Sequence, residues 1–429
     1  MPPSTDAAPL LARLLEGIER ELPRAVALRH ELHAAPELAH EEELTAASVA
    51  AELPVPCRAA AGTGLLALID GGGRAPEPGD AAPGRAPIAV RAELDGLPLR
   101  ERTGAPFAAS DETMHACGHD VHMAALVALA RAAHALGDEL PVPLLAMFQP
   151  SEEAYPSGAQ QLADGELAQL EPAAVVAAHV HPELPWGAVA LDAGIVNASC
   201  DAFEIAIAGE PSHGAYPHHG RDPVLALAEV VVALHAQLGR RIDPLHAASL
   251  TVGVLDAGSA ENVIPASAGA RGALRAHLPQ DREALRALVE EVAGGVASAH
   301  GCTARVELVP GEPALENDAR IVSLARELLA SAGLAATASW RSCGSDDFAF
   351  FGALAPLAMA FVGLDGADGF AQRPLHHPEL LPPDDAVSAV ARTQAVLYVA
   401  AATTSAAATA TSAGTATSAG TATSAATAD

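Results

Sequence analysis

The stretch MHACGHDVHMAALVALARAAHAL, Met114–Leu136, decides the fold. From Met123 to Leu136 it is a run of Ala, Leu, Val and Met interrupted only by Arg131 and His134, which predicts a helix buried nearly all round. Cys117-Gly118-His119 is expected in the loop entering that helix, where glycine lets the backbone bend close to an ion. Upstream, Pro87–Leu94 (PIAVRAEL) reads as a buried strand stopped by Asp95-Gly96. Downstream, Val142–Phe148 (VPLLAMF) reads as a second, stopped by Gln149-Pro150-Ser151, and Pro172–Ala178 as a third with His179 at its carboxyl end. Apolar strands alternating with an apolar helix predict an α/β catalytic domain, with a mixed, mostly parallel sheet and helices on both faces. Such sheets place their sites outside the carboxyl ends of the strands. Asp95, the pair Glu152-Glu153 and His179 each follow one of these strands.

The residue types found there point to metal chemistry. Cys117, His119, Glu153 and His179, with His376 in PLHHPEL, offer a thiolate, three imidazoles and a carboxylate, a set that borderline-soft divalent ions accept. Five ligands exceed what one catalytic ion with an open position needs, so two ions about 3.5–4 Å apart are expected, with Cys117 as the natural bridge. If Glu153 is a ligand, its neighbour Glu152 stays within reach of the attacking water and becomes the general base. Blander alternatives exist. An acidic pair is often a solvated loop, and Cys117 could be a buried structural thiol or a nucleophile paired with a distant histidine. The Cys-Gly-His-Asp run flanked by histidines, and the apolar strand before the glutamates, favour coordination.

Around this core the 429 residues are long for one domain. Between residues 200 and 310 the periodicities read strand (Asp201–Ala208), helix (Asp222–Leu238), strand (Ser249–Leu255), strand (Ala270–Leu278), helix (Asp281–Ala299) and strand (Thr303–Val309). This β-α-β-β-α-β order predicts a ferredoxin-like domain inserted between catalytic segments 1–199 and 311–402. A closing helix is expected at Asp384–Ala400. Residues 403–429, all Ala, Thr, Ser and Gly but for the last, read as a disordered tail. A net charge of −29 argues against a nucleic-acid partner. Five unpatterned cysteines, no basic apolar leader and no run read as long enough to span a membrane lead to the expectation of a cytoplasmic protein without a membrane partner.

The motifs RHELHAAPELAHEE, RAELDGLP, MHACGHDVHMAAL, FQPSEEAYPSGAQ, HVHPELPWG, SHGAYPHHGRDPV, ENVIP, GSDDFAFF and LHHPEL, in that order from Arg29 onward, resemble the amidohydrolase branch of the two-metal aminoacylase and carboxypeptidase family. That branch includes hippurate hydrolases and indole-acetyl-amino-acid hydrolases. The resemblance implies metal ligands Cys117, His119, Glu153, His179 and His376, with Glu152 as base and Asp95 orienting a ligand, and such a mixed donor set accepts Zn, Mn, Co or Ni. It implies that His213, Asn262 and Arg275 bind substrate; the unpaired edge strand of the inserted lid domain leads to the expectation of a homodimer through residues 200–310, in which by resemblance His213 reaches the neighbouring subunit's site. The activity implied is cleavage of small-molecule N-acyl amino acids. A di- or carboxypeptidase, a deacetylase of an N-acetylated metabolite and a non-catalytic relative are the alternatives on this scaffold; a cysteine peptidase is a further one. Departures from the family pattern are Glu93 for aspartate, Ala273 for a hydroxylated residue, Glu210-Pro211-Ser212 before His213, and Tyr155-Pro156 beside the acidic pair.

Overall fold

The computed structural model describes residues 7–71, 74–77 and 86–419, with side chains as far as Ala407. The chain forms two compact units. One comprises the segment up to Gly194, Asn317–Trp340 and the chain from Phe350; the other comprises Ile195–Glu316 and Arg341–Ala349. The boundaries expected at 200 and 310 both fall a few residues inside the second unit.

The first unit is built on an eight-stranded sheet. Its order is Arg58–Ala60, Gly64–Ile69, Leu144–Gln149, Ile88–Glu93, Ala174–Pro185, Leu357–Asp365, Ala188–Ala190 and Ala335–Ala336. The four central strands are parallel, and antiparallel strands flank them, so the sheet is mixed and mostly parallel as expected. Every residue of Ile88–Glu93 and Leu144–Gln149 is buried, which is why these strands read as continuous apolar runs and not as alternating ones. The helices Ala7–Ala34, His119–His134 and Asp385–Ala419 pack on one another. Only Arg131 and His134 of the central one escape burial.

Three local expectations change. The central helix starts at His119, not Met123. Its charged first turn reads as loop, but Asp120 is buried there and accepts hydrogen bonds from Arg29 and His33. An acidic side chain is also favoured at a helix N-terminus. The third parallel strand runs on to Pro185, so His179 lies within it. Its neighbour Ile88–Glu93, however, pairs only as far as Arg91 with Ala177, so His179 sits where the sheet opens. The last helix continues through the segment expected to be disordered from Thr403 as far as Ala419. Alanine favours helix, and the hydroxyls of Thr403 and Thr404 bond back to the carbonyls of Val399 and Ala400. Residues 420–429 of that tail lie outside the described residues.

In the second unit a four-stranded antiparallel sheet, ordered Ala248–Ala257, Ser267–Ala276, Ser199–Ala208 and Thr303–Pro310, carries the helices Pro223–Arg241 and Pro279–Ala299. Along the chain the order is β-α-β-β-α-β. Phe203, Ile205 and Ile207 alternate inward from one strand onto Leu227, Leu234 and Leu285 of the helices. Among the described residues, and contrary to the sequence reading, two helices are long and apolar enough to cross a membrane by length and composition alone: Pro223–Arg241 and Asp385–Ala407. The second is 83% buried inside the protein, as a core helix is.

Candidate metal centre

The first unit gathers every ligand expected from the sequence at the open end of its parallel sheet. Cys117, Glu153 and His376 offer donor atoms within 4.8 Å of one another, and so do His119, Glu152 and Glu153. Glu153 belongs to both groups. Cys117 in turn reaches across to His179, its Sγ 3.4 Å from Nε2. Two acceptors, one carboxylate and one sulfur, thus link the whole set.

Local structure aims each donor. Gly118 caps the helix with φ of 90°, and a Cβ there would lie 2.5 Å from Val180 Cγ2. The glycine therefore turns the chain between Cys117 and His119 where no other residue fits. His119 donates its Nδ1 proton to the Asp95 carbonyl at 2.8 Å, leaving Nε2 buried without a hydrogen-bond partner, 3.8 Å from Glu152. His179 donates Nδ1–H to the Val180 carbonyl at 2.6 Å, so its Nε2 lone pair faces Cys117. A main-chain bond on one ring nitrogen fixes the other as the ligand. The Asp95 carboxylate, expected to orient a ligand, accepts the Glu153 amide at 2.8 Å. His376 takes a left-handed φ of 64° and donates its amide to the Ala116 carbonyl at 2.9 Å, beside Cys117. Its Nε2 stands 3.1 Å from Glu153 Oε1, yet that oxygen is buried and out of hydrogen-bond alignment.

The electrostatics fit a cation. Burial pushes the Cys117 thiol well up from its ordinary range, and the carboxylates of Glu153, Glu152 and Glu93 push it further. For His119 burial acts against the charged ring, but Asp95, Glu93 and Glu153 overcome it and raise its pKa to about 10. Burial, aided by His122, holds His179 neutral, well below the usual histidine range. A buried cleft with clustered carboxylates draws in positive charge, as protons or as metal. The orphaned His119 Nε2 and Glu153 Oε1, within a mixed sulfur, nitrogen and oxygen set, fit divalent ions.

The model of peptidase family M20/M25/M40 matches residues 89–398. The chain belongs to that family. It is 34% identical to an N-acetyl-L-cysteine deacetylase of Bacillus subtilis (strain 168) over 369 residues, 85% of this chain and 84% of that protein. It is 30% identical to an N-acetyldiaminopimelate deacetylase of Bacillus licheniformis, covering 89% of this chain and all of that one. Among solved structures it resembles a dinuclear metal-binding M20 peptidase of Bacillus subtilis, with 28% identity, a TM-score of 0.75 and coverage of 89% and 98%. As a member of this family it is a metal-dependent hydrolase acting on amide bonds. The two Bacillus sequence relatives are deacetylases, one of the alternatives read from the sequence, rather than hydrolases of hippurate.

Sequence reasoning missed two residues of the site. His122 accepts the Val180 amide on Nε2 at 3.0 Å and donates Nδ1–H to Glu93 at 2.8 Å. Both nitrogens are therefore used, and Glu93 also takes Arg91, so neither is free to be a ligand although they lie beside His119 and His179. The signal was present in RAEL: Arg91 and Glu93 stand two apart in an apolar strand and so share a face. A third feature is a ring cluster. Phe361 is the register partner of His179, and Trp340 packs on it at 4.3 Å and on His181 at 4.9 Å.

The three expected substrate-binding residues lie in the second unit. His213 and Asn262 come together there: Ser212–His213 pairs with Val263–Ile264, and the Gly214 amide bonds to the Asn262 carbonyl at 2.7 Å. His213 is exposed and accepts the Ala215 amide on Nδ1. Arg275 lies apart from them on the strand Ser267–Ala276, donating to the Cys343 carbonyl and the Ser345 hydroxyl. His218 and His219 are both exposed, on a short helical turn.

Proposed function

We propose that the protein hydrolyses the amide bond of N-acyl amino acids, releasing a carboxylic acid and an amino acid, with two divalent ions held by Cys117, His119, Glu153, His179 and His376. The observation that carries this reading is the placement of Glu152 and Glu153. Adjacent in sequence, one joins both donor groups while the other lies 3.8 Å from the orphaned His119 nitrogen. When bound, the ions supply Lewis acidity: they polarise a carbonyl and lower the pKa of water toward about 7. Glu152 accepts the proton of the attacking water and returns it to the leaving nitrogen. Asp95 holds His119 through its carbonyl and Glu153 through its carboxylate. Arg275 offers a planar fork for the substrate carboxylate, Asn262 a further donor, and His213 a group to polarise the scissile carbonyl.

The names of the relatives support a small acyl group such as acetyl. The Trp340–Phe361–His181 cluster beside His179 favours a second reading, a planar aromatic acyl group stacked on that wall. Zn, Mn, Co and Ni all suit the donor set. The second unit supports pairing with another copy of the chain. Its edge strand Ala248–Ala257 exposes Val254 and Leu255, and its helix exposes Leu225 and Val232. Assay of N-acetyl and N-benzoyl amino acids with protein of defined metal content tests the proposal. Turnover of at least one class is expected, and cleavage of neither by protein loaded with each of the four metals would reject it.

A further inference from the structure

Glu42 occupies the N-cap position of the helix Glu43–Glu52 yet does not cap it. Its side chain is fully buried and turns instead toward the loop after Leu144–Gln149. There it accepts the Ser151 amide on Oε1 at 2.8 Å and the Thr63 hydroxyl on Oε2 at 2.6 Å. Ser151 has a left-handed φ of 47° and is itself buried. Its carbonyl accepts the Gly158 amide, and its hydroxyl lies 3.0 Å from His40 Nε2 and 2.9 Å from the Ala154 carbonyl. A left-handed non-glycine residue persists only where its surroundings over-determine it. Two residues on, Asp95 accepts the Glu153 amide. Glu152 is therefore presented between two amides, each clamped by a buried carboxylate.

We infer that Glu42 is a positioning residue for the reaction, acting through Ser151 to set where the Glu152 carboxylate stands. This rests on Glu152 being the base. Burying a carboxylate is costly, and the charge strengthens its bond to an N–H. Asp95 cannot isolate the effect, because it also touches His119. Glu42 can, because the groups it bonds, the Ser151 amide and the Thr63 hydroxyl, belong to no metal-ligand candidate.

The test compares Glu42→Leu, Glu42→Gln, Glu42→Asp and Thr63→Val with Glu152→Gln and the parent. The readouts are kcat, KM, bound metal, and amide hydrogen exchange of residues 149–158. Glu42→Leu should lower kcat by about 10–100-fold, since a misplacement near 1 Å costs that order, with KM and metal content unchanged. Exchange should quicken over 149–158 and not over 117–123. Glu42→Gln keeps an acceptor oxygen and should recover most of the rate. Thr63→Val keeps the Ser151 bond and should behave as the parent. Glu42→Asp withdraws the carboxylate by one methylene and carries the same expectation in smaller size, so the test stands if the leucine variant does not fold. Parental kcat in folded Glu42→Leu or Glu42→Asp, unchanged exchange over 149–158, or a rate loss that tracks metal loss would overturn the inference. An active Glu152→Gln would instead remove the base assignment, whatever Glu42 does.

Discussion

His119 and His179 each give their Nδ1 proton to a main-chain carbonyl, while His122 spends both nitrogens on Val180 and Glu93. That difference separates the ligand candidates from a bystander 4.5 Å from His179 ring to ring. It is invisible in the sequence, where all three are histidines near apolar runs. The nearness of the two glutamates to the ligand candidates, by contrast, was legible: both carboxylates lie with His119, and Glu153 also joins Cys117 and His376. Glu152→Gln should keep its metal and lose about 10²–10⁴-fold in rate, whereas Glu153→Gln should lose metal as well. Metal analysis beside steady-state kinetics reads both. The same groups dictate a pH dependence in the metal-free protein. His119 is raised from 6.5 to about 10, so its contribution to stability is complete below 6.5 and lost as pH climbs toward 10. Cys117 is raised above 9.0 and acts in the same direction at higher pH, while the lowered His179 contributes above 6.5 and is lost below it. Melting of metal-free protein should therefore fall from about pH 7 to 10, and metal, which requires the deprotonated ligands, should flatten that fall. Equal slopes with and without metal would argue against these ligands.

Gly118 turns the chain between two ligands, and the helix it caps begins with one of them. The sequence showed the glycine and the buried helix but misplaced the start by four residues, because His119, Asp120 and His122 precede the apolar run and read as loop. Their burial depends on Arg29 and His33 from the N-terminal helix and on Glu93 from the sheet, partners that local patterning does not reveal. The third strand was cut short for a related reason: beyond His179 it alternates as a half-exposed arm, whereas up to there it is apolar on both faces. Gly118→Ala should force a Cβ onto Val180 in a left-handed conformation, destabilising the protein by about 1–3 kcal/mol. Lower metal content should accompany it. A melting curve and metal content equal to the parent's would show that the turn tolerates a side chain.

Across the whole molecule the layered architecture was the most legible feature, since strand and helix periods depend only on neighbouring residues. The extent of the last helix was the least, because a tract of alanine and threonine satisfies both a disordered and a helical reading. If the second unit pairs with another copy and His213 serves the partner's site, two inactive variants, His213→Ala and Glu152→Gln, should regain partial activity on subunit exchange. Absence of rescue despite proven exchange would reject the shared site. Hydrolysis by this protein requires its metal. Protein stripped by a chelator and verified metal-free should cleave no N-acyl amino acid, and activity should return in step with added ion up to two per subunit. Full turnover in the verified metal-free sample would contradict it.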